Sequence, residues 1–184
     1  MSHMKIKPSS RDAIVEAAFL TFNENPTASL ADVADRAGVG RATLHRHFAA
    51  RQDLITALAE IALDEIDAVI DAATADAPSY TEALRLSLHA TIPLATRQWF
   101  LSHEDYAQAP DLIARYDASL AELHNTIEAA CAEGSFAADL PTRWIAEAYE
   151  NLIYAAWTMV REEEATTRQA ADMAWRTFLK GISQ

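Results

Sequence analysis

Residues 38–48, GVGRATLHRHF, hold Arg41, His45, Arg46 and His47 beside only three large apolar side chains, Val39, Leu44 and Phe48. Arginine presents a planar fork of permanently charged donors that matches paired acceptors or phosphate oxygens. Histidine adds a donor that titrates near neutrality. Such residues, this close together, suit an anionic partner rich in hydrogen-bond acceptors. A second group lies in TRQWFLSHEDYAQ, where Trp99, His103, Asp105 and Tyr106 fall close together. Aromatic rings with polar handles suit a cavity for a small, largely apolar molecule. With Asp105 or Glu147 turned inward, an apolar cation is the natural occupant, through ion pairing and cation–π contact.

Catalytic patterns are absent. The chain has no HExxH, no cysteine-based metal spacing and no glycine-rich phosphate loop. His89, His103 and His124 fall on separate predicted helices, and the adjacent His103, Glu104 and Asp105 point apart on one helix. Neither an enzyme nor a cofactor is expected.

These side chains need elements to position them. Apolar residues make up 51% of the 184, glycine occurs only four times, and no alternating strand pattern is present. The composition therefore predicts an all-α protein with a substantial core. The first helix starts after Ser9 or Ser10 and carries Ile14, Ala17, Ala18 and Phe22 on one face. It is expected to stop at Asn25 in a left-handed cap, before Pro26. Ser29 and Asp32 form a capping box for a second helix, which Gly38 ends. The third helix begins at or just after Gly40, and a fourth runs from about Gln52. Further helices are expected near 80–92, 94–105, 110–132, 142–163 and 166–181, about nine in all.

The charge is divided. Residues 1–51 contain seven Lys/Arg against five Asp/Glu, while residues 52–184 contain eight against 22. A basic end on an acidic body implies two different partners. No apolar run is long enough to span a membrane. The start, MSHMKIKPSS, has no apolar leader, and its SHM resembles a cloning remnant, so His3 is set aside. With a single cysteine, Cys131, the expected compartment is the cytoplasm.

Two short helices joined at Gly38 make a helix-turn-helix. At about 100° per residue, Leu44 and Phe48 share the inner side of the third helix. Ala42, Thr43 and Arg46 lie opposite, flanked by His45 and His47, with Arg41 at the start. That division suits a helix lying in the major groove of DNA. Ala42 and Thr43 permit close approach, and Arg46 can fork to guanine O6 and N7. Arg51, His45 and the Ser29 end of the second helix suit phosphates.

The segment 14–58, IVEAAFLTFNENPTASLADVADRAGVGRATLHRHFAARQDLITAL, resembles the DNA-binding domain of the TetR (tetracycline-repressor) family. The resemblance rests on Ile14, Ala17-Ala18 and Phe22, on Val33-Ala34 with Gly38-Val39, and on Thr43-Leu44-His45-Arg46-His47-Phe48 followed by Arg51 and Leu54-Ile55. His45 stands where the family usually has tyrosine, Asn25 where it has glycine, and Gly40 where it has serine. The DNA-binding part is similar to repressors of multidrug-efflux pumps.

The resemblance implies a helix-turn-helix DNA-binding domain at 8–51 and a helical ligand-binding and dimerisation domain at 52–184. It implies a homodimer joined through the last two helices, operator DNA and a small-molecule effector as partners, and Ser29, Arg41, Ala42, Thr43, His45, Arg46, His47 and Arg51 at the DNA. In this family the middle helices, with the seventh and eighth, surround the effector pocket, which implies Trp99, His103, Tyr106, Tyr116 and Asn151 as its lining here. Ligand would move the fourth helix and change the separation of the two recognition helices. The C-terminal pair is apolar on more than one face, and Ala148, Ala155, Ala156, Ala170, Ala171 and Ala174 permit close helix approach. The alternative is a helical small-molecule binding or catalytic protein whose helix-turn-helix is only structural.

Overall fold

The computed structural model describes residues 9–103, 109–136 and 139–182. Among them the chain forms α1 (Ser10–Glu24), α2 (Leu30–Ala37), α3 (Arg41–His47), α4 (Arg51–Thr74), α5 (Tyr80–Thr91), α6 (Ala95–His103), α7 (Pro110–Ala132), α8 (Thr142–Arg161) and α9 (Thr167–Ile182). A 3-10 turn, Ile92–Leu94, holds Pro93 between α5 and α6. The described residues contain no strand.

Cα packing divides the chain into two units. The described part of the first is 9–62 with 96–103, and that of the second is 63–95, 109–136 and 139–182. The main chain of α4 passes from one to the other. Within the first unit, side chains in α6 pack against α1. Phe100 lies edge-on to Phe19 with centroids 5.3 Å apart and stacks on Phe22 at 6.5 Å. Asn23 Nδ2 donates to the Thr96 carbonyl at 2.7 Å. Arg97 lies 4.4 Å from the Phe19 ring centre and pairs with Glu16.

The first unit is built on a small apolar centre. Ile14, Ala18, Phe19, Phe22, Val33, Ala34, Leu44, Leu54 and Leu58 are all buried. Full burial of one such aliphatic or aromatic side chain is worth about 1.5–3 kcal/mol. Both short helices are capped as their sequence requires. The Ser9 hydroxyl accepts from Asp12 N–H, and Ser9 N–H donates to the Asp12 carboxylate. Ser29 and Asp32 repeat the arrangement at α2. Asn25 departs from expectation. It is extended, with φ −143°, rather than left-handed. Its side-chain oxygen accepts from the Thr27 amide at 3.0 Å and the Thr27 hydroxyl at 2.8 Å. That side-chain turn replaces the left-handed cap and leads into Pro26.

The second unit packs α5, α7, α8 and α9 around Leu84, Leu88, Ile127, Ile145, Tyr149, Ile153, Trp157 and Phe178. Phe136, Tyr149 and Trp175 surround Phe178 with centroids 5.3–5.6 Å away. Tyr149 is buried, and its hydroxyl donates to the Leu84 carbonyl at 2.8 Å. Burial pushes that phenol far above its ordinary value. Two left-handed residues close helices here: Gly134 after α7, with φ 78°, and Glu163 after α8, with φ 59°.

Candidate nucleic-acid interface

The positively charged segment is placed by the turn before it. Gly38 adopts φ 66° and ψ 32°, a left-handed cap that only glycine takes without strain. Its amide bonds to Ala34 and Asp35 carbonyls, and the Val39 amide bonds to the Ala34 carbonyl at 3.0 Å. This ends α2 and redirects the chain into α3. Gly40 has φ −69° and makes no side-chain cap.

Across α3 the environment changes side by side. Leu44 is fully buried, and Phe48, just past the helix end, is 4% exposed. Arg41, Ala42, His45, Arg46 and His47 are exposed, and Thr43 is half-buried. The Arg46 guanidinium reaches toward the Thr43 hydroxyl at 3.5 Å. His47 Nε2 lies 2.9 Å from the Ser10 hydroxyl at the start of α1. Ala42, Thr43 and Arg46 thus lie opposite the core, on a surface suited to base edges.

At α2 the Asp32 carboxyl is held below its ordinary value, first by the Ser29 amide and then by the Ser29 hydroxyl. Ser29 remains exposed at the surface. Arg51 is engaged elsewhere. Its guanidinium donates to the Pro26 and Ala28 carbonyls and stacks over Phe22, with the carbon 4.7 Å from the ring centre. It therefore straps the α1–α2 loop to the first turn of α4. Sequence spacing shows Arg51 beside the third helix, but not that three distant groups hold its head inward.

The expected pocket residues do not form one group within either unit. Trp99 and His103 belong to the first unit and stack on each other, with centroids 3.9 Å apart. Tyr106 and Asp105 lie outside the described residues. Tyr116 and Asn151 belong to the second unit. Asn151 sits in a shallow groove of about 370 Å³ between α8 and α9, with Trp144, Ala148, Leu152, Thr177, Phe178 and Gly181, a set that excludes Tyr116. Tyr116 is half exposed on α7. Burial raises its phenol first, and Glu150, Asp117 and Glu147 raise it further.

Glu147 does not supply an inward carboxylate. It is exposed, 4.0 Å from Arg143. The half-buried carboxylate on this helix is Glu150, raised by burial and by Glu147, with His124 acting the other way. Sequence reasoning missed Glu150 because helical position alone does not separate it from the exposed Glu147. Among the described residues no group of three His, Cys, Asp or Glu side chains is arranged to hold a metal ion.

A three-helix unit with a glycine turn, a buried inner face and an outer face of Ala42, Arg46 and half-buried Thr43 defines a helix-turn-helix DNA-binding protein. The family model for bacterial regulatory proteins of the tetR family matches residues 14–58. The transcriptional repressor LfrR of Mycolicibacterium smegmatis is 30% identical over 174 residues, covering 94% of this chain and 90% of that protein. The transcriptional regulator NfxB of Pseudomonas aeruginosa is 24% identical, covering 94% of each. The crystal structure of LfrR from Mycobacterium smegmatis in complex with proflavine superposes with a TM-score of 0.75 at 28% identity, over 95% of this chain and 97% of that one. The ketosteroid transcriptional regulator KstR2 of Mycobacterium tuberculosis shares the fold, with a TM-score of 0.84 at 20% identity over 97% of each chain. The chain belongs to the tetR family of bacterial regulatory proteins. It is a ligand-responsive, DNA-binding transcription regulator, and its relatives are regulators rather than enzymes.

Proposed function

We propose that the protein is a cytoplasmic homodimeric repressor that binds a near-palindromic operator and leaves it when a largely apolar, cationic effector binds. The observation that carries the DNA-binding part is exposed Ala42 and Arg46, opposite buried Leu44, with half-buried Thr43 beside them. In this reading α3 enters the major groove of each half-site, with centres about 34–36 Å apart when one turn separates them. Ala42 and Thr43 meet thymine methyls and Arg46 forks to a guanine. His45 and Arg41 reach phosphates beside them, as does the Ser29 end of α2. The regulatory part is the remainder of the chain after the reading domain. Among the described residues no helix is long and apolar enough to cross a membrane, which is compatible with the cytoplasm.

The dimer is assigned to the outer stripe of α8 and α9. Trp144, 62% exposed, recurs with Ala148, Asn151, Leu152 and Ala155 at helical spacing, and Met173, Thr177 and Gly181 continue it on α9. Ala156, Ala170, Ala171 and Ala174 are buried inside the same chain, so their small size serves the α8–α9 pairing instead. The cationic effector is supported by half-buried Glu150 near Tyr116 and by the similarity to LfrR, a protein solved with proflavine.

A salt-dependent gel shift with the DNA upstream of the gene tests the reading, followed by release on titrating in proflavine, an aromatic cation. The competing reading, a helical small-molecule protein with a structural helix-turn-helix, requires no shift even at low salt. Arg46→Ala is expected to cost about 1–3 kcal/mol at one base position and little elsewhere. Equal loss on every sequence would remove Arg46 from direct readout.

A further inference from the structure

We propose that the first turn of α1 forms a second backbone contact on the operator, in which Arg11 and Ser10 grip a DNA phosphate at the edge of the groove that α3 enters. The inference rests on the DNA-binding reading above and adds a part of the surface outside the helix-turn-helix.

Three exposed side chains from two helices meet at this place. His47 Nε2 lies 2.9 Å from Ser10 Oγ, so the last residue of α3 is tied to the first residue of α1. The Arg11 guanidinium carbon lies 5.8 Å from the centre of the Phe48 ring, which follows His47. Arg11, Ser10 and His47 are all exposed. At about 100° per residue, His47 falls next to Thr43 on the rim of the base-facing side of α3. A duplex seated on Ala42, Thr43 and Arg46 therefore carries its sugar-phosphate strand past this rim.

The charges agree with that partner. No carboxylate among the described residues pairs with Arg11. Asp12, the nearest acid in sequence, is bound into the capping box by Ser9. The surface arginine of α2, Arg36, is neutralised by Glu24 at 2.6 Å, and Arg51 at the start of α4 is turned to main-chain carbonyls. Among the described arginines of α1 and α2, Arg11 is thus the one without a carboxylate partner, and its fork is matched to a phosphate. The Ser10 hydroxyl, held by His47, supplies a neutral donor. His47 acts here as a positioning residue.

The experiment uses the full chain and two duplexes, one recovered by in vitro selection and one with its sequence scrambled. Fluorescence anisotropy over a range of salt concentrations gives affinity and salt slope. Arg11→Ala is expected to weaken both duplexes alike, by roughly fivefold near 0.15 M salt, and to flatten the slope by about 0.9. Arg11→Lys is expected to restore the slope, and Ser10→Asp to weaken both duplexes by repelling the phosphate. A slope unchanged by Arg11→Ala, or a loss confined to the selected duplex, would overturn the proposal. Because Arg11→Lys keeps the charge, it separates a lost phosphate contact from a misfolded α1. Failure of the unaltered chain to bind either duplex would remove the DNA-binding reading itself, and this contact with it.

Discussion

Arg51 shows how one side chain can be misjudged from its neighbours in sequence. Its position after the third helix suits a phosphate contact, yet its head donates to Pro26 and Ala28 and covers Phe22. Removing it leaves carbonyls short of a charged donor and an aromatic face uncovered. Arg51→Ala is expected to lower stability by about 2 kcal/mol in denaturant titration. Asp32 gives a pH signature. Its carboxyl sits below the usual value near 3.8 because Ser29 donates to its charged form. A depressed carboxylate stabilises the fold above its unfolded value, and that contribution is lost as pH falls through the lower folded value. The penalty of Asp32→Asn should therefore be greatest near neutrality and shrink as pH falls through the lowered carboxyl value, so the acid limb of its stability curve should be shallower and approach that of the unaltered protein at low pH.

Helix ends decide much of the architecture at the scale of elements. Ser29 with Asp32, and Gly38, were legible because capping chemistry is local and has few solutions. Asn25 was misread because an asparagine offers two ways to end a helix, a left-handed backbone or a side-chain turn, and sequence alone does not choose between them. Glu163 was not legible at all. It holds φ 59° in the turn between α8 and α9, where a non-glycine residue costs about 1–2 kcal/mol. Glu163→Gly is expected to raise stability by up to about 1 kcal/mol, measured by thermal unfolding, after the greater backbone freedom of glycine in the unfolded chain offsets part of the gain. A lower melting temperature would show that the side chain of Glu163 contributes more than its backbone costs.

For the molecule as a whole, the reading domain was more legible than the regulatory one. A recognition helix needs small, basic and apolar residues in a fixed order, so its pattern is visible within residues 38–48. A ligand cavity arises from helices far apart in sequence, and no spacing rule connects Tyr116 to Glu150. The attachment of Phe100 to Phe19 and Phe22 was equally invisible, because α2, α3, α4 and α5 all lie between these residues in the chain. Assembly makes the remaining prediction. Trp144→Asp replaces the largest exposed side chain of the proposed contact stripe with a charge and is expected to shift the protein toward monomer in sedimentation equilibrium. Operator affinity should fall with it, because two linked heads bind far more tightly than one. An unchanged mass would place the dimer contact elsewhere.

The strap made by Arg51 also sets how a signal must be delivered. It rivets the first turn of α4 to the loop that leads into α2. In the proposed dimeric repressor, a ligand-driven shift of α4 is therefore expected to turn the reading head as one wedge instead of bending it at its base, so that release would come from a change of pitch between two such wedges.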